Sequence, residues 1–127
     1  MSVAMRYGSG NAGKSSSGMQ MTKLWENATP TASFAAQNID VDLSAYDFYA
    51  VQVQLSTTQD VRYGMKFFPV DESTNQLDCP QHTANRTAGR NCAYSANTKK
   101  LSFDGAYYNG AANNAVAIPL YVWGIKL

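Results

Sequence analysis

The sequence predicts an all-β protein: an antiparallel, jelly-roll-like β-sandwich with an extended N-terminal arm. Three observations predict it. Apolar residues recur at every second position in several runs after residue 38, the period of a half-buried strand. Those runs are separated by segments rich in Asn, Asp, Ser and Gly, which favour turns. No stretch carries the period of an amphipathic helix, apart from a single turn's worth near residues 32–37. The 127 residues amount to one domain, divided into an arm over 1–24 and a sandwich over 25–127.

The arm is read from residues 8–18, filled by Gly, Ser, Asn and Lys, a composition that buries too little apolar surface to fold alone. The first expected strand holds Ile39, Val41 and Leu43 against Asn38, Asp40 and Asp42. The second holds Tyr49, Val51, Val53 and Leu55 against Gln52 and Gln54, and the third Val61, Tyr63, Met65 and Phe67 against Arg62 and Lys66. Turn residues over 44–47 and 56–60 join the three as a meander. Residues 69–98 interrupt the pattern: Pro69, Pro80 and Gly89 stand among polar residues, so this stretch reads as a long functional connection. A short strand returns at Lys99–Phe103, and the final run from Ala115 is apolar on both faces, as a central or subunit-facing strand is. Pro119 lacks an N–H, so that run must place it at an edge or a bulge.

Charged residues make up 15% of the chain and the net charge is +1, with no basic run among aromatics, which argues against nucleic acid as a partner. No apolar stretch is long enough for a membrane span, and the first residues lack the apolar core of a signal peptide. Synthesis in a cytoplasm is the expectation.

Residues 8–15, GSGNAGKS, match the phosphate-loop pattern letter for letter through Gly8, Gly13, Lys14 and Ser15. Such a loop works only between a buried strand and a helix whose N-terminus faces the phosphates. Here Gly18 follows within three residues of Ser15 and no βαβ unit exists, so the match is read as chance in a Gly- and Ser-rich arm. Cys79 and Cys92 admit three readings: a disulfide stapling the long connection, two free thiols, or a metal site with His82 and Asp78. His82 is the sole histidine and has no evident nucleophile beside it, and Asp40 with Asp42 reads as a solvated strand face rather than a calcium site. No catalytic residue, cofactor or metal is therefore expected, and the chain is not read as an enzyme. Tyr94, Tyr107 and Tyr108 are candidates for a receptor or glycan contact, while Tyr121, Trp123 and Ile125 share one face of the last strand and are candidates for an interface.

The segment LWENATPTASFAAQNIDVDLSAYDFYAVQVQLST resembles a stretch recurrent in minor structural proteins of tailed bacteriophages, through Leu24, Trp25, Asn27, Pro30, Thr31, Phe34, Ala35, Gln37, Asp42, Leu43, Ser44 and Tyr46. The ending IPLYVWGIKL resembles the same family's closing strand, and the Cys-bearing stretch has no counterpart. The resemblance implies a virion component, a β module of tail, fibre, neck or capsid appendage that serves assembly or host attachment. It further implies an oligomer; the two apolar faces of the last strand predict a homo-oligomer, expected as a trimer, the polar arm is the expected contact with other virion proteins, and a host surface glycan or protein is a further expected partner. A free carbohydrate-binding β-sandwich is the alternative reading.

Overall fold

Ten strands form two antiparallel sheets in this computed structural model, which describes residues 18–58, 61–80 and 87–127. The strands are β1 (Gln20–Glu26), β2 (Gln37–Asp40), β3 (Phe48–Ser56), β4 (Lys66–Pro69), β5 (Thr74–Pro80), β6 (Thr87–Ser95), β7 (Lys100–Phe103), β8 (Tyr107–Tyr108), β9 (Ala111–Ala112) and β10 (Val116–Lys126). One sheet has four strands in the order β1-β10-β3-β4; the other runs β2-β7-β6-β8-β9, with β5 on the second edge of β6. The two sheets face each other as a β-sandwich, and no helix occurs among the described residues.

The alternation read from the sequence explains the core. On β3, Tyr49, Val51 and Val53 point inward and are fully buried, and Val122 lies opposite Val51 on β10. The facing sheet contributes Leu77, Cys79, Cys92, Leu101 and Phe103. One end of the core is aromatic: Trp25, Phe34 and Phe103 meet with centroids 5.4–6.1 Å apart, near the separation favoured for edge-to-face rings. β10 is central in its sheet, and its register shifts between Pro119 and Tyr121. The pairing with β1 ends at Tyr121, so Pro119 has a strand partner on the β3 side alone, where its missing N–H is tolerated beside the bulge. Asn27, itself buried, closes the neighbouring loop by donating from Nδ2 to the Pro119 carbonyl at 2.9 Å.

Three expectations are corrected. Residues 69–98 are not a structureless connection, because β5 and β6 pair over seven residues from Thr74↔Ala93 to Pro80↔Thr87. Their period of two is real, but the inward side chains of β6 are Ala88, Arg90, Cys92 and Tyr94, a set of low apolarity that pattern reading passes over. The first three runs are not a meander either. β2 pairs with β7 in one sheet while β3 pairs with β10 and β4 in the other. The crossing between sheets is fixed at Leu43, which is fully buried and donates its N–H to the Tyr94 hydroxyl at 3.1 Å. Finally, β1 begins at Gln20, so residues 20–24 belong to the sheet and the strand crosses the expected boundary between arm and sandwich.

Arg90 is the largest fully buried side chain. Its Nε donates to the Ala117 carbonyl at 2.8 Å, its Nη1 to the Asp104 carbonyl at 3.1 Å and its Nη2 to the Val116 carbonyl at 3.2 Å. Its guanidinium carbon lies 5.1 Å from the centre of the Phe34 ring. Burial lowers its pKa to about 10, so it enters the core charged at neutral pH. The residue links β6 of one sheet to β10 of the other at a strained point, since Ala117 holds φ 51° in the left-handed region. A planar fork with donors in fixed directions suits three diverging carbonyls, as an ammonium would not.

Of the three readings of the cysteines, the structure shows two free thiols and no disulfide. Both are buried and free, and the register places Cys79 opposite Ala88 but Cys92 opposite Asn75, four residues further along β5. Four strand residues span about 13 Å, beyond the roughly 7 Å limit for a disulfide. Burial raises the pKa of Cys79 to about 12 and that of Cys92 to about 11. A thiol-reactive chromogenic disulfide should therefore label neither residue in the native protein at neutral pH and both in denaturant. Rapid native labelling, or a Cys79–Cys92 linked peptide within one chain by mass spectrometry, would contradict this register.

Candidate functional site

The four-stranded sheet has one side in the core and one side turned away from the other sheet. Strand pairing arranges the outer side in rows. One row runs Lys23, Trp123, Ala50 and Phe67 across β1, β10, β3 and β4; the next runs Met21, Ile125, Phe48 and Pro69. A third holds Glu26, Tyr121 and Gln52. The first two rows are apolar except for Lys23. Phe67 is 51% exposed; Phe48, Tyr121 and Trp123 are half-buried.

The expected grouping of Tyr121, Trp123 and Ile125 on one face is present, with one change. Ile125 is buried in the single chain, between Met21 and Phe48 in the pairing, so only the two aromatic residues remain for a partner. Their ring centroids stand 6.4 Å apart. The Lys23 ammonium lies 5.0 Å from the Tyr121 ring centre and 6.0 Å from that of Trp123, while its Nζ donates to Glu26 Oε1 at 2.9 Å. At exposed sites a cation over a ring stabilises by about 0.5–1 kcal/mol, enough to hold the two rings and the lysine stem in one arrangement. The charge pair cancels on the surface, leaving an aromatic face of no net charge. The sequence period groups Phe67 with Tyr63, which packs against the core, whereas β4 starts only at Lys66 and pairs Phe67 with Ala50; nothing in the pattern marks Phe48 for this face.

The three tyrosines considered for a glycan contact are not one platform. Tyr94 is buried with its hydroxyl bound to the Leu43 N–H. Tyr107 and Tyr108 are neighbours on β8 and so face opposite ways. Tyr108 packs against the core, while the Tyr107 hydroxyl donates to Asp78 Oδ1 at 3.5 Å.

The acidic pair is held by lysines. Asp40 bonds Lys100, and Asp42 lies 3.6 Å from Lys99 and accepts from the Ser44 hydroxyl at 2.6 Å. The Ser44 hydrogen bonds, side chain first and backbone second, hold the Asp42 carboxyl below its usual range. Gln54, expected on a wet strand face, is fully buried and donates to the Pro30 carbonyl at 2.7 Å, because the loop after β1 covers it. No group of three His, Cys, Asp or Glu side chains suited to a metal occurs among the described residues. The Gly8–Ser15 segment and His82 lie outside the described residues. No helix of the described residues is long and apolar enough to cross a membrane. No protein-family model, curated protein or solved structure matches the chain.

Proposed function

We propose that the protein is a structural β module of a bacteriophage particle, a tail, fibre or capsid-appendage component that assembles with copies of itself through the outer face of the four-stranded sheet. The observation that carries the assembly reading is the aromatic band of Tyr121, Trp123, Phe48 and Phe67 on that face, where the Lys23–Glu26 pair leaves no net charge. Apolar bands of this kind favour a covered state, and a chain of net charge +1 offers little repulsion between copies. Any closed symmetric assembly satisfies each copy's face without leaving an open end, and a ring of three is the form proposed. The virion setting is supported by the resemblance of residues 24–57 and 118–127 to phage minor structural proteins. Several positions that carry it have structural work: Asn27 ties the loop after β1 to Pro119, Phe34 sits against Arg90, and the Tyr46 ring covers Gly124.

Immunogold labelling of purified particles tests this role, with several labelled positions per particle as the expected result. Particles free of the chain would contradict it. Deleting residues 1–17, which precede β1, should leave the sandwich folded by circular dichroism while lowering incorporation into particles. Undiminished incorporation would remove the arm from the assembly role.

A further inference from the structure

On the opposite side of the molecule, the outer face of the six-stranded sheet carries a cleft of about 330 Å³, lined by Gln76, Asp78, Cys79, Pro80, Thr87, Ala88 and Tyr107. Its construction depends on Gly89. Asp78, Gly89 and Tyr107 lie in one row across β5, β6 and β8. A Cβ on Gly89 would stand 2.9 Å from the Tyr107 hydroxyl and 3.1 Å from both Asp78 Oδ1 and the Leu77 carbonyl. Only the bare backbone of β6 lets the tyrosine reach across it to the carboxylate two strands away. Asp78 is half-buried, whereas Gln76 and Thr87 are exposed.

We propose that this cleft binds a neutral, hydroxyl-rich ring, that is, one carbohydrate unit. The chemistry selects that class by elimination and by fit. An anion would meet the Asp78 carboxylate with no Lys or Arg among the described lining residues to offset it. A metal ion would find, among the described residues, one carboxylate and a buried thiol, fewer ligands than a site requires. An organic cation is best held among several ring faces, and here there is one. A sugar ring uses what is present: Tyr107 for its C–H face, the remaining acceptor positions of Asp78 for hydroxyl donors, and Gln76 and Thr87 for either role. Burial and the adjacent carboxylate raise the Tyr107 pKa, so its hydroxyl remains a donor to Asp78 and keeps that carboxylate in place. The size suits a single unit, at the small end of the roughly 300–1,000 Å³ range of ligand clefts.

The proposal is independent of self-assembly, since the cleft and the aromatic band lie on outer faces of different sheets. It is tested on the full chain by amide chemical-shift titration with the methyl glycosides of glucose, galactose and N-acetylglucosamine, and separately with tetramethylammonium. At least one glycoside should give saturable shifts at Asp78, Ala88, Gly89 and Tyr107 in the millimolar range. Asp78→Asn keeps the side-chain shape and fold but loses the charged acceptor, and should weaken that binding by about tenfold. Gln76→Ala, at an exposed position, should weaken it less. Three results would each overturn the proposal: no glycoside saturating these amides, unchanged affinity in both variants, or saturation by tetramethylammonium alone.

Discussion

Replacing Arg90 by methionine should destabilise the domain by about 3–5 kcal/mol, because it strips three backbone carbonyls of a shared donor. The change leaves the carbonyls of Val116 and Ala117 in the core, and that of Asp104 at its part-buried edge, without their donor, and each unsatisfied buried group costs about 1–3 kcal/mol. Relief from burying the guanidinium offsets part of this sum, which is why the total stays below the three penalties added together. Arg90→Lys should recover less than half the loss, since one ammonium cannot reach carbonyls in three directions. A domain of this size has about 5–15 kcal/mol in all, so the methionine variant should show a much lower urea midpoint at an unchanged slope. A loss below about 1 kcal/mol would mean that those carbonyls find other donors.

Phe103→Ala should cost a similar amount, about 3–5 kcal/mol, as expected for removing a buried ring that the surroundings cannot refill. Phe103 is 2% exposed and contacts Trp25 and Phe34, themselves fixed by β1 and the loop after it. Phe103→Leu keeps most of the volume and should cost less than about 1.5 kcal/mol. Phe34 lies between the two sites, 5.4 Å from Phe103 and 5.1 Å from Arg90. The double variant Arg90→Met with Phe103→Ala should therefore depart from additivity by about 0.5 kcal/mol or more. Strict additivity would show that Phe34 transmits nothing between them.

These two positions differ in how far the sequence announces them. Phe103 alternates with Leu101 in an ordinary strand, and its burial follows from the period. Arg90 stands between Gly89 and Asn91, where a charged residue reads as part of a solvated turn. Its burial depends on carbonyls contributed by residues 14 to 27 positions later, a pairing no local pattern encodes. Tyr94 was misplaced for the same reason: its hydroxyl is satisfied by an N–H more than fifty residues earlier. The spacing of Cys79 and Cys92 fixes how long a loop a bond would close, but only the β5–β6 register sets their distance. The aromatic face was half legible. Tyr121 and Trp123 share a side by simple alternation, whereas Phe67 joins them only because β4 pairs with β3 from Lys66 onward. The cleft beside Gly89 was not legible at all beyond Tyr107, since it arises from one glycine aligned with residues of two other strands.

The central claim, that the outer face of the four-stranded sheet joins copies of the chain, is tested most directly by multi-angle light scattering of the full-length protein at micromolar concentration. The account predicts one species with three times the mass of the chain. Phe67→Glu places a charge at a position 51% exposed in the single chain and should convert that species to monomer without loss of folded structure. A monodisperse wild-type monomer, or an oligomer of unchanged mass in Phe67→Glu, would contradict it.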